Sequence, residues 1–358
     1  MNLSRRELLA LLAVASAATV SGCASRLKNP KTALLLSGAY DATKSKDPRI
    51  ALAVHRFDGA LLQLIPTAVA AHSIVQAPHT SSQFILFPQA SRTAAVLVLT
   101  DGKTEWRDFK ATPGWMFYGH GAYTLDGAGV YAVETQEFRG KIVLRDLKTF
   151  AVHREWLLPG YGAHDCQLSR DGKLLYVAMD GLYATAKNQF AIAESSLLEL
   201  NLQSGVIRRR AASPQGLALG HFAMSADGAV AGAMKIKGDQ NSSIALALPL
   251  GDFQELALID KTGEEEEALS VAIHDGAQVV GGVCPKGNRA RFWDSQTGKF
   301  RGELRLNHPV GISAVKEGFV ITSRDGVTRI DANTLDHVTS SVSLDGLSYL
   351  AHNLTVFI

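Results

Sequence analysis

The chain has 358 residues and a nearly balanced charge, with 36 lysines and arginines against 34 aspartates and glutamates. A net charge of +2 argues against a nucleic-acid-binding surface, because such surfaces are strongly basic. Cys166 and Cys284 lie far apart and form neither a metal-binding spacing nor a disulfide framework, so buried thiols are expected.

The N-terminus has the pattern of an export signal. The segment Ser4 to Leu9 resembles a twin-arginine motif, and the apolar run Leu8 to Val20 that follows is too short to span a bilayer. Val20 to Cys23 resembles a lipobox. We therefore expect residues 1–22 to be a twin-arginine lipoprotein signal peptide, Cys23 to carry lipid, and residues 23–31 to tether a periplasmic, membrane-anchored protein. A plain secretory signal with an incidental cysteine is the alternative.

The rest of the chain, residues 32–358, has an all-β pattern. Short apolar runs such as Phe84 to Phe87 and Tyr176 to Met179 alternate with Asp-Gly and similar turns. No window of a dozen residues combines a helical apolar period with helix caps. The pattern predicts an all-β domain.

A repeat organises these strands. In its clearest copies a histidine is followed by an Asp-Gly turn and then by an apolar strand, as in His120 to Glu134, His164 to Asp180 and His221 to Met234. Full and partial copies begin at seven positions, at steps of roughly 41–57 residues, which suits four short strands and thus one propeller blade. These positions are 72, 120, 164, 221, 269, 311 and 352.

The ends of the chain supply the remaining blade. The last copy, from His352, has sequence for one strand only, whereas three strands at Thr32–Tyr40, Ile50–Phe57 and Ala60–Pro66 precede the first copy. Pairing the C-terminal strand with the N-terminal strands completes the blade and removes two open sheet edges. The sequence therefore predicts a seven-bladed β-propeller closed in this way.

Three segments resemble a known bacterial family. They are Phe117 to Gly121, Gly162 to Gly172, and Cys284 to Asp294. Together they resemble the family called domain of unknown function 1513, which is related to propellers with Tyr-Val-Thr-Asn repeats. The resemblance implies twin-arginine export, imelysin-like or di-haem oxidoreductase-like partners in the envelope, and a role in iron or copper handling.

Histidine begins five of the seven copies, and we expect all five to face one mouth of the central channel. Imidazole is a good ligand for copper, iron and zinc, so the sequence predicts a transition-metal site in a periplasmic binding or accessory protein. The candidate ligands are His72, His120, His164, His221 and His352.

Hairpin counting adds carboxylates to this site. A hairpin folded about Asp126 and Gly127 would place Glu134 opposite His120, and Asp180 would lie near His164. Both carboxylates are expected as further ligands or as partners that orient an imidazole.

Two other interpretations fit the same sequence. The histidines could bond backbone groups of neighbouring blades in a protein-interaction scaffold, or the mouth could belong to a metal- or cofactor-dependent enzyme such as a lactonase or oxidoreductase. The chain has no Cys-x-x-Cys-His, Gly-x-Ser-x-Gly, phosphate-loop or His-Glu-x-x-His motif. The sequence accordingly nominates no catalytic residue, and an enzymatic role is the less favoured interpretation.

Overall fold

A computed structural model describes most of the chain after the N-terminal segment. The described residues are 33–41, 49–56, 58–100, 103–186, 189–236, 244–249, 251–256, 267–340 and 347–357. The predicted signal peptide, the lipidation site at Cys23 and the tether lie outside these ranges. Within them, no helix is long and apolar enough to cross a membrane.

The described residues form seven four-stranded antiparallel sheets and one added hairpin. In chain order the first group of strands is β1 (Ala33–Asp41), β2 (Arg49–Arg56), β3 (Leu61–Pro66), β4 (Ala71–Gln76), β5 (Gln83–Pro88), β6 (Thr93–Thr100), β7 (Lys103–Lys110), β8 (Met116–Tyr123), β9 (Gly129–Gln136), β10 (Arg139–Asp146) and β11 (Val152–Leu157). The next group is β12 (Ala163–Leu168), β13 (Leu174–Met179), the hairpin β14 (Leu182–Ala186) and β15 (Gln189–Ile192), β16 (Ser196–Asn201), β17 (Ile207–Ala212), β18 (Leu217–Met224), β19 (Val230–Ile236), β20 (Ile244–Ala247) and β21 (Gln254–Glu255). The last group is β22 (Ser270–His274), β23 (Val279–Cys284), β24 (Arg289–Asp294), β25 (Phe300–Arg305), β26 (Gly311–Val315), β27 (Gly318–Ser323), β28 (Gly326–Asp331), β29 (His337–Ser340) and β30 (Leu347–Phe357).

The sheets are the seven blades of a propeller. Their innermost strands contact one another in the ring order β30, β4, β8, β12, β18, β22, β26 and back to β30. The closing blade has the strand order β3-β2-β1-β30, so the C-terminal strand pairs with the first N-terminal strand. The predicted fold class, blade number and closure are confirmed, and the strand bounds differ from the expected ones by a residue or a few.

The repeated Asp-Gly turns set the direction of the strands that follow. In the turn between β8 and β9, Asp126 Oδ1 accepts the backbone N–H of Ala128 at 3.0 Å, and Gly127 has φ +70°. Asp171 and Gly172 repeat this arrangement in the next blade, with φ +69° at the glycine. Aspartate stabilises such a turn through its side-chain acceptor, and glycine takes the left-handed conformation without strain.

The core is divided among the spaces between adjacent blades. One apolar cluster, for example, joins Phe87 of β5, Phe109 of β7 and Phe117 of β8, all of which are buried. Because each blade buries both of its faces against neighbours, the innermost strands are held rigidly around the channel. The ring thus supplies fixed positions for the side chains that enter the channel.

Candidate metal centre

A break in strand pairing occurs at each of the five histidines of the repeat. His72 is an extra residue between two paired positions of β4, and the breaks in β8 and β12 contain His120 and His164. In β18 the break immediately precedes His221, and in β30 it includes His352. A β-bulge re-aims a side chain away from the regular alternation of a strand, and here it turns the imidazoles toward the axis.

The two remaining innermost strands are a natural comparison. β22 and β26 pair with their neighbours without any register shift. Neither strand has a histidine at the repeat position, which is occupied by Leu269 and Gly311. Bulges and channel histidines therefore occur in the same blades.

The five imidazoles converge on the propeller axis. One nitrogen from each of His72, His120, His221 and His352 lies within 4.8 Å of the others. Nε2 of His221 is 3.2 Å from Nε2 of His72 and 2.9 Å from Nε2 of His164. The convergence of all five predicted residues could be anticipated from the repeat, but the distances could not.

These separations suit the coordination of one ion. A transition metal sits about 2.0–2.1 Å from an imidazole nitrogen, so two ligands on a tetrahedral ion are about 3.3 Å apart and two adjacent ligands at a right angle about 2.9 Å apart. The Nε2 distances around His221 fall at these values. The same distances also allow a hydrogen bond between the paired imidazoles, and the four grouped nitrogens, all within 4.8 Å of one another, could hold a metal ion.

Four of the five imidazoles, those of His72, His164, His221 and His352, are held in the neutral form that binds metals. Burial lowers the pKa of His72, His164 and His221 well below the usual value, the neighbouring imidazoles lower it further, and Lys235 adds to this effect at His72 and His164. For His352, burial and then repulsion by His120 lower the pKa to about 3. A neutral imidazole has one ring nitrogen with a free lone pair, which a protonated imidazole lacks, and it is this nitrogen that binds a metal.

Several ring nitrogens have no hydrogen-bond partner. They are Nε2 of His120, Nδ1 of His164 and Nε2 of His352, all shielded from solvent. An unsatisfied buried polar atom costs about 1–3 kcal/mol, and two of these nitrogens, on His120 and His352, belong to residues of one cluster that a ligand could use.

Asp165 orients one of the candidate ligands. Nδ1 of His120 donates to Oδ1 of Asp165 at 2.9 Å, and the other carboxylate oxygen accepts the N–H of Phe222 at 3.3 Å. Burial raises the pKa of Asp165, but attraction to His120 and the hydrogen bond from His120 outweigh it and hold the pKa below its usual value. This arrangement points Nε2 of His120 into the cluster, as carboxylates do for histidines that bind metals.

Two other buried histidines show what a structural histidine looks like in this fold. His55 uses Nδ1 for the carbonyl of Gly59 and Nε2 for the hydroxyl of Tyr349, both at 3.0 Å. His274 bonds the carbonyl of Lys316 through Nε2 and accepts the N–H of Ala277 through Nδ1. Among the described contacts of the five channel histidines, no ring nitrogen bonds a backbone group.

Gly119 makes room for this cluster. A Cβ at this position would lie 2.8 Å from Cδ2 of His72 and 3.5 Å from Cε1 of His164. The residue also has φ +101°, and its carbonyl accepts the hydroxyl of Ser73 at 2.6 Å. Only glycine combines this backbone conformation with the close approach of two imidazoles.

The expected hairpin register around His120 is wrong. The bulge in β8 shifts the pairing, so Glu134 is opposite Phe117 and not opposite His120. Glu134 is fully buried and accepts hydrogen bonds from Arg145 at 2.6 Å and from the N–H of Thr112 at 3.1 Å. Its contacts are those of a buried ion pair outside the histidine cluster.

Asp180 lies nearer to the cluster but is engaged elsewhere. Oδ1 accepts the N–H of Leu182 at 2.8 Å, and Oδ2 is 3.8 Å from the ammonium of Lys235. Burial raises the pKa of Asp180 to about 6. Burial, and then the charge of Asp180, raise the pKa of Tyr118 to about 12. The ring of Tyr118 packs edge-on against His164 at 5.0 Å between centroids.

Cys166 follows His164 by two residues, and it packs in an apolar cluster with Val177 and Leu198, as expected of a buried thiol. Burial raises the pKa of its thiol well above the usual value, which disfavours the thiolate that metals bind.

The residues that sequence reasoning missed are Asp165, Gly119 and Lys235. Only Asp165 left a signal, as an acidic residue directly after a repeat histidine.

Comparisons with known proteins agree with this fold. The family model described as "Protein of unknown function (DUF1513)" matches residues 65–349. The chain belongs to this family. No curated protein matches the chain.

Solved structures extend the similarity to the whole propeller. Hydrazine synthase of Kuenenia stuttgartiensis superposes with a TM-score of 0.63 at 10% identity, over 90% of this chain and 99% of that chain. The periplasmic gluconolactonase of Pseudomonas aeruginosa superposes with a TM-score of 0.61 at 12% identity, over 89% of this chain and 99% of that chain. Identities this low establish a shared fold and nothing about activity.

Proposed function

We propose that this protein binds a divalent transition metal in the histidine cluster at the propeller axis. The observation that carries the proposal is the convergence of buried imidazoles at the propeller axis, where Nε2 of His120 and Nε2 of His352 have no hydrogen-bond partner. His72, His120, His221 and His352 supply the ligand set, and His164 stands beside it at 2.9 Å from His221.

The contrast between the two kinds of buried histidine supports this proposal over a structural role. His55 and His274 have both ring nitrogens satisfied by the protein, as expected when a histidine serves packing and hydrogen bonding alone. Stabilisation of the fold would not require Nε2 of His120 and Nε2 of His352 to be without partners in one cluster. A bound metal removes that penalty, and Asp165 already holds His120 in the required orientation.

The ligand chemistry narrows the choice of metal. An all-imidazole ligand set suits copper, zinc, iron and nickel. It contains no thiolates, which copper(I) and iron–sulfur clusters prefer, and no cage of oxygen ligands, which magnesium and calcium prefer. Affinity for such a set rises toward copper along the first transition row. Copper(II) is therefore the first ion to test, followed by zinc and iron(II).

Metal stoichiometry tests the proposal directly. Metal-free protein is titrated with copper(II), zinc or iron(II) and measured by elemental analysis after desalting, beside a His120→Gln/His221→Gln double variant. The His274→Gln variant is the matched control, because this histidine is equally buried but lies outside the cluster. We expect one equivalent in the wild type and the control and none in the double variant. Equal metal content in all three, or none in the wild type, would contradict the proposal.

We propose further that this binding serves metal handling in the cell envelope. Support comes from the N-terminal motifs, with Cys23 as the lipidation site, and from the family resemblance to proteins that accompany imelysin-like and di-haem oxidoreductase-like partners. The test is cell fractionation: the protein should sediment with membranes, and Cys23→Ala should release it into the periplasmic fraction. Recovery of the unaltered protein in the cytoplasm would count against this location.

A further inference from the structure

The chain enters the propeller at the end of the channel that carries the repeated Asp-Gly turns. β1 begins at Ala33, which is opposite Phe357 near the end of β30, and β1 ends at Asp41, which is opposite Leu347. Since the innermost strands run in the same axial direction, all of them end where β1 begins. We call this end the turn face, because each innermost strand turns there into the second strand of its blade.

The length of chain before β1 restricts which face can meet a membrane. Ten residue steps separate the proposed lipid site at Cys23 from Ala33, and they reach at most about 35 Å. A path to the opposite face would pass outside β2 and β3, about 10 Å of sheet width, and then along the height of β1, about 30 Å. A bilayer that holds Cys23 can therefore lie against the turn face or against the outer edge of the closing blade.

Exposed apolar side chains favour the turn face over the edge. Eight large apolar side chains are exposed among the described residues, and five of them lie at the turn-face end of the blades. These five are Leu125, Val206 and Leu248, which occupy turns, and Val152 and Val338, at the start of β11 and β29. Surfaces that rest on a bilayer expose such side chains, which enter the boundary between headgroups and acyl chains.

The three turns with apolar residues adjoin one another around the ring. They belong to consecutive blades, whose innermost strands are β8, β12 and β18. Leu125 lies across a turn of the next blade, since a Cβ at Gly172 would be 2.7 Å from its Cδ1. Arg209 of β17, the strand that follows Val206, donates to the carbonyl of Gly251 in the turn that begins with Leu248. The apolar side chains therefore share one continuous surface.

We propose that the turn face rests on the phospholipid bilayer that anchors Cys23, with Leu125, Val206 and Leu248 in contact with lipid. Because the anchor holds this face beside the bilayer, even a weak contact keeps it there. The opposite end of the channel then faces away from the membrane. A cavity of about 360 Å³ at that end includes His72, so metal ions and soluble partners reach the histidine cluster from there. This inference rests on the proposed lipidation of Cys23.

Fluorescence quenching by lipid tests the orientation. The lipidated full chain is reconstituted into vesicles of phosphatidylethanolamine and phosphatidylglycerol that contain a nitroxide-labelled lipid as quencher. An environment-sensitive fluorophore is attached to Leu248→Cys on the turn face, Met116→Cys at the opposite face, or Gln63→Cys on β3, the outer edge strand of the closing blade. We expect blue-shifted, quenched emission for Leu248→Cys and neither change for the other two.

Two controls make the labelling specific. The native Cys166 and Cys284 are buried, so the unsubstituted protein should take up no fluorophore. Each labelled variant is also prepared with Cys23→Ala, which removes the anchor, and should then show no quenching by the same vesicles.

The outcomes separate this inference from the proposed anchoring. Quenching of Met116→Cys or Gln63→Cys in place of Leu248→Cys would overturn docking by the turn face, and so would no quenching in a protein that sediments with the vesicles; both leave the anchor intact. Protection of the Leu248→Cys thiol in native membranes without quenching in vesicles would assign the face to a protein partner and would also overturn the inference. Failure of the protein to acquire lipid at Cys23 would overturn the anchoring and the orientation together.

Discussion

Acidification of the metal-free protein should destabilise it, because the buried imidazoles must take up protons. The pKa of His352 is lowered to about 3 in the fold, against 6.5 in the unfolded chain. A group with a lowered folded pKa contributes stability above the unfolded value, and that contribution is lost as the pH falls below about 6.5. Between pH 7.5 and pH 5 the loss from His352 is about 2 kcal/mol, which is a ceiling because the residue is partly exposed.

Other groups add to this effect or oppose it. His72, His164 and His221 have pKa values lowered well below the usual value and act in the same direction. Asp180 opposes them, because its pKa is raised to about 6 and its contribution to stability grows as the pH falls; at pH 5 this offsets about 1 kcal/mol. Four imidazoles outweigh one carboxyl group, so the net change is destabilising.

Urea unfolding at pH 7.5 and pH 5 measures the change in the free energy of unfolding. The comparison is between the wild type, His352→Gln and the control His153→Gln, which removes an exposed histidine on β11. The wild type and the control should lose about 1–2 kcal/mol more stability than His352→Gln. Identical losses in the three proteins would refute the assignment of a strongly lowered pKa to His352.

Three further substitutions test the parts of the site. Gly119→Ala should lower the free energy of unfolding by about 1–3 kcal/mol and weaken metal binding, because the residue has φ +101° and its new Cβ would crowd His72; thermal unfolding with and without metal measures both effects. Asp165→Asn should lower metal affinity by about 10- to 100-fold in a chelator competition, and an unchanged affinity would contradict its orienting role. Glu134→Gln should cost about 3 kcal/mol through the buried ion pair with Arg145 and leave metal stoichiometry unchanged, whereas loss of metal would show that Glu134 belongs to the site.

The histidine positions were predictable from the sequence, but their environment was not. Counting along regular hairpins placed Glu134 opposite His120, and the bulge in β8 moved it opposite Phe117. A bulge inserts residues into one strand only, so every register argument that crosses it fails. Asp165 escaped attention for the same reason, since alternation would have sent it away from an inward-facing His164.

The sequence by itself determined the blade number and the closure of the ring. Both follow from a repeat of turn residues and alternating strands, which is local information carried by each copy of the unit. Tertiary structure alone decided which nitrogens meet, because His72 and His221 are 149 residues apart in the chain and approach to 3.2 Å only when the ring closes. It also decided their neutral state, since the lowered pKa values come from burial among other imidazoles, a property of the assembled axis that no single blade possesses.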